Sequence, residues 1–141
     1  MFINSIPQYI QGIKNVKIDL TTTDKKTLYT VPSDADFNAT LIHSVLVANT
    51  SSSASTIEIT ITGDGLNGSG SISNHQFNFV KQSTVAALTT VDFLPNTAKD
   101  LVLNAGEIVK VTAGHADRLE VILSIQELSK TRVTTSAITR I

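Results

Sequence analysis

The chain has no cysteine and no tryptophan among its 141 residues. The first absence excludes disulfide scaffolds, thiolate zinc sites, thiol nucleophiles and redox motifs. It also leaves the redox state of the compartment unread. Charge of one sign is missing too: 11 basic residues face 12 acidic ones. The chain therefore has no global basic field of the kind duplex-binding proteins carry. Long hydrophobic runs are absent. The best candidate, Leu41–Ala48, already contains His43 and Ser44, and crossing a membrane needs about 18 apolar residues. Met1 to Ile10 carry no positive stretch and no long apolar one, so no cleaved leader is expected. The chain reads as soluble, or as part of a soluble assembly. Its length suits one domain that buries roughly two thirds of its unfolded surface without a metal or disulfide staple.

What is abundant is β-branched. Thr (19), Ile (15) and Val (12) make up about a third of the chain, and such residues pack well on a pleated surface. Several segments alternate with period two. Val16, Ile18 and Leu20 are apolar between polar neighbours, as are Ile57, Ile59 and Ile61, and Leu119, Val121, Leu123 and Ile125. Each predicts a strand with one face on a core and one face wet: Lys14–Leu20, Thr56–Thr62 and Leu119–Leu128. Leu41–Ala48 is apolar at both parities, which predicts a central strand covered on both sides. Weaker strand patterns occupy Thr27–Val31, Ser73–Val80, Leu101–Leu103 and Glu107–Thr112. Residues 84–94 fit either a short helix capped by Ser83 or a strand and a bend, and Pro95 ends both.

Turn residues recur about every ten positions. Short strands at that spacing, without intervening helices, predict an all-β fold: an antiparallel β-sandwich of jelly-roll type with extended N- and C-terminal arms. The expected division is an N-terminal arm over 1–13, the sandwich over 14–128 and a basic C-terminal arm over 129–141. Charge follows it. Residues 1–33 carry net +2, residues 34–128 net −6 and residues 129–141 net +3. Basic ends around an acidic body predict arms that lie on an acidic neighbour, such as another copy of the chain. The expected contacts are Lys14, Lys17, Lys130, Arg132 and Arg140, with Ile138 and Ile141 as apolar anchors.

No motif rises to a catalytic signature. Gly63-Asp64-Gly65-Leu66-Asn67-Gly68 matches G-x-G-x-x-G after a strand. Its mechanism needs a helix whose amides hold the pyrophosphate, and Ser-Gly-Ser-Ile-Ser-Asn follows instead. A flexible loop, with glycine supplying positive φ, is the better reading. Asp64 and Asn67 alone fall short of the six to eight oxygens that calcium takes. His43, His75 and His115 are too far apart in sequence for a local metal face. His43 shares its parity with Leu41, Val45 and Val47 and reads as a core or interface residue. No G-x-S-x-G elbow is present. Phe77 and Phe79 read as core rather than as a base-stacking platform. The expectation is therefore no enzyme, no cofactor, no metal, no direct nucleic acid and no membrane.

Some runs resemble a family of small virion structural proteins of tailed bacteriophages, particularly phages of marine cyanobacteria. They are Leu28-Tyr29-Thr30-Val31-Pro32, Val47-Ala48-Asn49-Thr50, Leu101-Val102-Leu103-Asn104-Ala105-Gly106-Glu107, and Leu119 through Leu128. The resemblance covers about residues 27–128. It implies a non-enzymatic sandwich that assembles on a particle as a capsid decoration, neck or tail component. It also implies a homo-oligomer whose partners are copies of itself and other virion proteins, made in the host cytoplasm and located in the virion. The alternative is a carbohydrate-binding module of a tail fibre or spike. Its sugar platform would have to come from Tyr9 and Tyr29, the only tyrosines, since tryptophan is absent.

Overall fold

The computed structural model describes residues 9–33, 37–94 and 100–129. Among them nine strands form and no helix does. They are β1 (Tyr9–Leu20), β2 (Lys26–Thr30), β3 (Phe37–Asn49), β4 (Ser55–Asn67), β5 (Gly70–Val85), β6 (Thr90–Asp92), β7 (Leu101–Asn104), β8 (Ile108–Ala113) and β9 (Leu119–Ser129).

Antiparallel pairing joins β1 to β9, β2 to β8, β3 to β7 and β4 to β5. These pairs are the rungs of one long ribbon made by folding the chain back on itself. The ribbon rolls up, so alternate rungs fall in different sheets. Sheet I runs β1-β9-β3-β6, with β7 also on β3, and sheet II runs β2-β8-β4-β5. This is a jelly-roll sandwich, as the turn spacing predicts.

The core forms where the inner faces meet. Leu119, Val121, Leu123 and Ile125 of β9 are buried, as are Ile57 and Ile59 of β4 and Val109 and Val111 of β8. Burying a side chain of this size contributes about 1.5–3 kcal/mol. Between the sheets lies an apolar-walled void of about 10 Å³. That is too small for a ligand, and apolar voids stay dry.

The two ends of the sandwich differ. At one pole Leu20, Asn49 and Leu119 lie side by side. Here the backbone amides of Thr50, Gly114 and Asp117 donate across loops to Arg118, Thr56 and Leu20. At the other pole Tyr9 is paired with Ser129. The segments before β1 and after β9 thus attach to neighbouring strands at one place. The β7–β8 turn belongs to this pole too, since Asn104 pairs with Ala39 and Ala39 with Leu128.

Two boundaries differ from the sequence reading, and one open alternative is decided. β1 starts at Tyr9, so residues 9–13 are strand rather than arm. Ser129 is buried and closes β9 rather than opening an arm. Over 84–94 the chain is strand to Val85, a turn through Leu88 and then β6, with no helix.

Candidate interaction surface

The outer faces of the two sheets are made of different material. On sheet II, β4 turns Thr56, Glu58, Thr60 and Thr62 outward, and β8 turns out Lys110 and Thr112. This face carries its own charge network. Lys25 lies 3.9 Å and Lys81 3.6 Å from the Glu58 carboxylate. Lys25 also donates to Gln76 Oε1 at 2.5 Å. Between these charges the hydroxyls of Thr60, Thr62 and Thr112 are buried without a hydrogen-bond partner among the described residues.

Sheet I differs. Register places Ile13, Gln126, Leu41 and Val102 in one row across β1, β9, β3 and β7. Lys17, Ile122 and Leu46 form another row. Ile13 is 74% exposed, Val102 54% and Ile122 36%, while Leu41, Leu46, Ala48 and Leu128 are half-buried. An antiparallel sheet with a solvated face usually alternates cleanly to polar residues, and this one does not. β3 accordingly corrects the sequence reading. It is central in its sheet, but no described element covers its outer side. Its two-sided apolar pattern comes from an apolar surface.

Two of the edges, β1 and β5, discourage pairing by strand addition. β1 is a twelve-residue edge strand, and Lys14 on it lies opposite buried Ile125 on the inward side. Inward-pointing charge on an edge opposes another strand docking there. β5, the edge of sheet II, has positive φ at Asn74 and Gln82, at the breaks in its register with β4. Such bulges twist an edge away from a partner.

Lys14 has a local task. Its Nζ lies 3.3 Å from Glu127 Oε2. The Tyr29 hydroxyl donates to the same oxygen at 2.5 Å and accepts from Thr40 Oγ1 at 2.9 Å. Burial first, and then the Glu127 carboxylate, push the Tyr29 hydroxyl well above its ordinary pKa, so it stays a donor. Four strands are tied together here, at the pole from which the terminal segments depart. With its ring buried and its hydroxyl engaged, Tyr29 offers no sugar platform. Lys17 sits on the outer face of β1, opposite Ile122. The remaining expected contacts, Lys130, Arg132, Ile138, Arg140 and Ile141, lie outside the described residues.

His43 is exposed rather than core. A register shift between Ile42 and Ser44 turns it out onto the sheet I face. Its Nε2 lies 2.8 Å from Gln126 Oε1 and its Nδ1 3.0 Å from Asp100 Oδ1. The Gln126 bond, followed by the Asp100 bond, raises its pKa above the ordinary histidine value. His75 meets Phe77 edge-on at 4.8 Å, and His115 Nδ1 meets Ser55 Oγ at 3.3 Å. Among the described residues no three His, Asp or Glu gather as a metal set.

The glycine-rich segment is a paired ribbon rather than a loop between strands. β4 and β5 stay paired from Ser55 and Val85 out to Asn67 and Gly70. β8 leaves β4 at Thr62, so the outer part of the hairpin projects beyond sheet II. Gly63 and Gly65 are required by close approach, not by φ. A Cβ on Gly63 would meet the Glu107 carboxylate at 2.6 Å, and one on Gly65 the Phe77 ring at 2.5 Å. No helix follows, so the dinucleotide pattern lacks its phosphate site. A groove of about 380 Å³ runs between this ribbon and the β7–β8 turn, lined by Asp64, Asn74, Asn104 and Glu107 among others. Asp64 Oδ1 accepts from the Asn74 amide and Glu107 Oε1 from the Asn104 amide, so both acids brace their own turns.

No family model matches the chain. No curated protein matches it. Among solved structures, a structure of infectious bursal disease virus, Gx strain, is similar over 86% of this chain at 13% identity and a TM-score of 0.33. The match covers 41% of that viral chain.

Proposed function

We propose that the chain is a non-enzymatic structural subunit of a virion, of the tailed-phage kind its motifs resemble. It is held to copies of itself and to other virion proteins by the outer face of sheet I and by its terminal segments. The observation that carries this reading is the contrast between the two outer faces. One is polar, with Lys25 and Lys81 gathered on Glu58, while the other leaves Ile13, Val102 and Ile122 facing solvent. Exposed apolar patches of this kind mark interaction sites. The sandwich provides a rigid body.

Immunogold electron microscopy with antibody to this chain, on purified particles of the phage that encodes it, tests the reading. Label at one repeated position on the capsid, neck or tail is expected. Particles free of label, with the protein found only in the unassembled lysate, would overturn it.

A further inference from the structure

The projecting ribbon of β4 and β5 ends in a tight turn. Asn67 pairs with Gly70 at the last rung, and Gly68 and Ser69 make the connection. All four residues are exposed. Asn67 is followed by glycine, and no other asparagine of the chain is. Its Oδ1 accepts from the Ser69 amide at 2.7 Å. The Gly68 amide between them makes no hydrogen bond among the described residues. A Cβ on Gly68 would meet nothing within 4 Å, so the space beside this residue is open.

We propose that Asn67 is a site of spontaneous covalent modification, losing its side-chain amide through a cyclic imide formed with the Gly68 nitrogen. Asparagine is among the chemically labile residues, and this one has its reacting groups together. Hydroxide from the solvent takes the Gly68 amide proton, and the nitrogen attacks Asn67 Cγ. A C–N bond forms and the negative charge passes to Oδ1, where the Ser69 amide already donates. The Cγ–Nδ2 bond then breaks, and Nδ2 leaves as ammonia with a proton from water. Water opens the imide ring at either of its two carbonyls. One opening gives an aspartyl residue. The other gives an isoaspartyl residue, in which the main chain runs through the former side chain. The net exchange is ammonia for water. Glycine suits the attacking position, because without a Cβ its backbone turns freely toward the side chain. Asp64-Gly65 has the same spacing in a poorer setting. Its electrophile is a carboxylate, which is less readily attacked than an amide. The Phe77 ring also covers Gly65, and Asp64 Oδ1 is held by the Asn74 amide. Since β8 leaves β4 at Thr62, the new charge and the altered backbone stay on the projecting part of the hairpin.

The test is peptide mapping by mass spectrometry on the full folded chain held in mildly alkaline buffer, with a urea-unfolded sample alongside. The peptide holding Asn67 is expected to exchange ammonia for water and to split into aspartyl and isoaspartyl forms. It is expected to react at least about tenfold faster than any other asparagine peptide of the folded chain, and at a rate close to that in urea. Gly68→Ala keeps the turn, since the φ of Gly68 is not left-handed and its Cβ position is open. The added methyl group crowds the attack, so this variant is expected to react about tenfold more slowly, with unchanged circular dichroism. Asn67 intact in the folded chain but reacting in urea would overturn the proposal. So would another asparagine reacting first, or Gly68→Ala reacting at the wild-type rate. An aspartyl product without the isoaspartyl form would overturn the imide route.

Discussion

Asn49 shows how much one side chain can hold. It is 3% exposed. Its Nδ2 donates to the carbonyls of Ser53 and Val85, and its Oδ1 accepts from the amide and hydroxyl of Ser51. Those bonds join the β3–β4 loop to the end of β5. Replacement by alanine leaves the Val85 carbonyl and Ser51 amide without these partners, so Asn49→Ala is expected to cost about 2–4 kcal/mol. Urea unfolding measures this directly, and a change below about 0.5 kcal/mol would mean that water replaces the side chain. Asn49 also shows what the motifs of the resemblance encode. Together with Tyr29 at the buried carboxylate, Gly106 at φ +83° and Glu107 capping its own turn, it is architectural. Residues of this kind announce a fold, and say little about the surface the fold presents.

At the level of elements, His43 fastens the connection between β6 and β7 to the face of β9, through Asp100 on one side and Gln126 on the other. Both bonds favour the imidazolium, and the native pKa is raised. The resulting stability is therefore fully present below the unfolded value, about pH 6.5, and is lost as pH rises through the higher native value. Wild type is expected to unfold at lower urea at about pH 8 than at about pH 5, and His43→Gln to flatten that difference. An unchanged difference in His43→Gln would assign the pH dependence elsewhere.

The same elements show what was readable in the sequence. β9 was legible because one face is core and the other is wetter, so alternation survives. β3 was read as covered on both sides because apolar parity cannot distinguish a buried face from a sticky one. Gly63 and Gly65 read as loop residues because a glycine needed for close approach looks the same in sequence as one needed for φ. His43 was misplaced by a single bulge, which moves a residue from one face to the other.

For the whole molecule, the jelly roll brings the start of β1 and the end of β9 to one pole and lays the apolar face between that pole and an acidic rim. The sequence separated basic ends from an acidic body correctly as charge. It could not say that both ends attach to neighbouring strands, because that depends on pairing residues far apart in the chain. The proposed function divides the labour: the sandwich folds, and its face and terminal segments assemble. The boundary for testing that division is Ser129, the buried last residue of β9. The decisive measurement compares particles assembled with the full chain and with a chain ending at Ser129, quantifying the subunit by mass spectrometry of purified particles. The account predicts an unchanged unfolding temperature for the shortened chain in solution and its loss from particles. A shortened chain incorporated at the full-length level would contradict it.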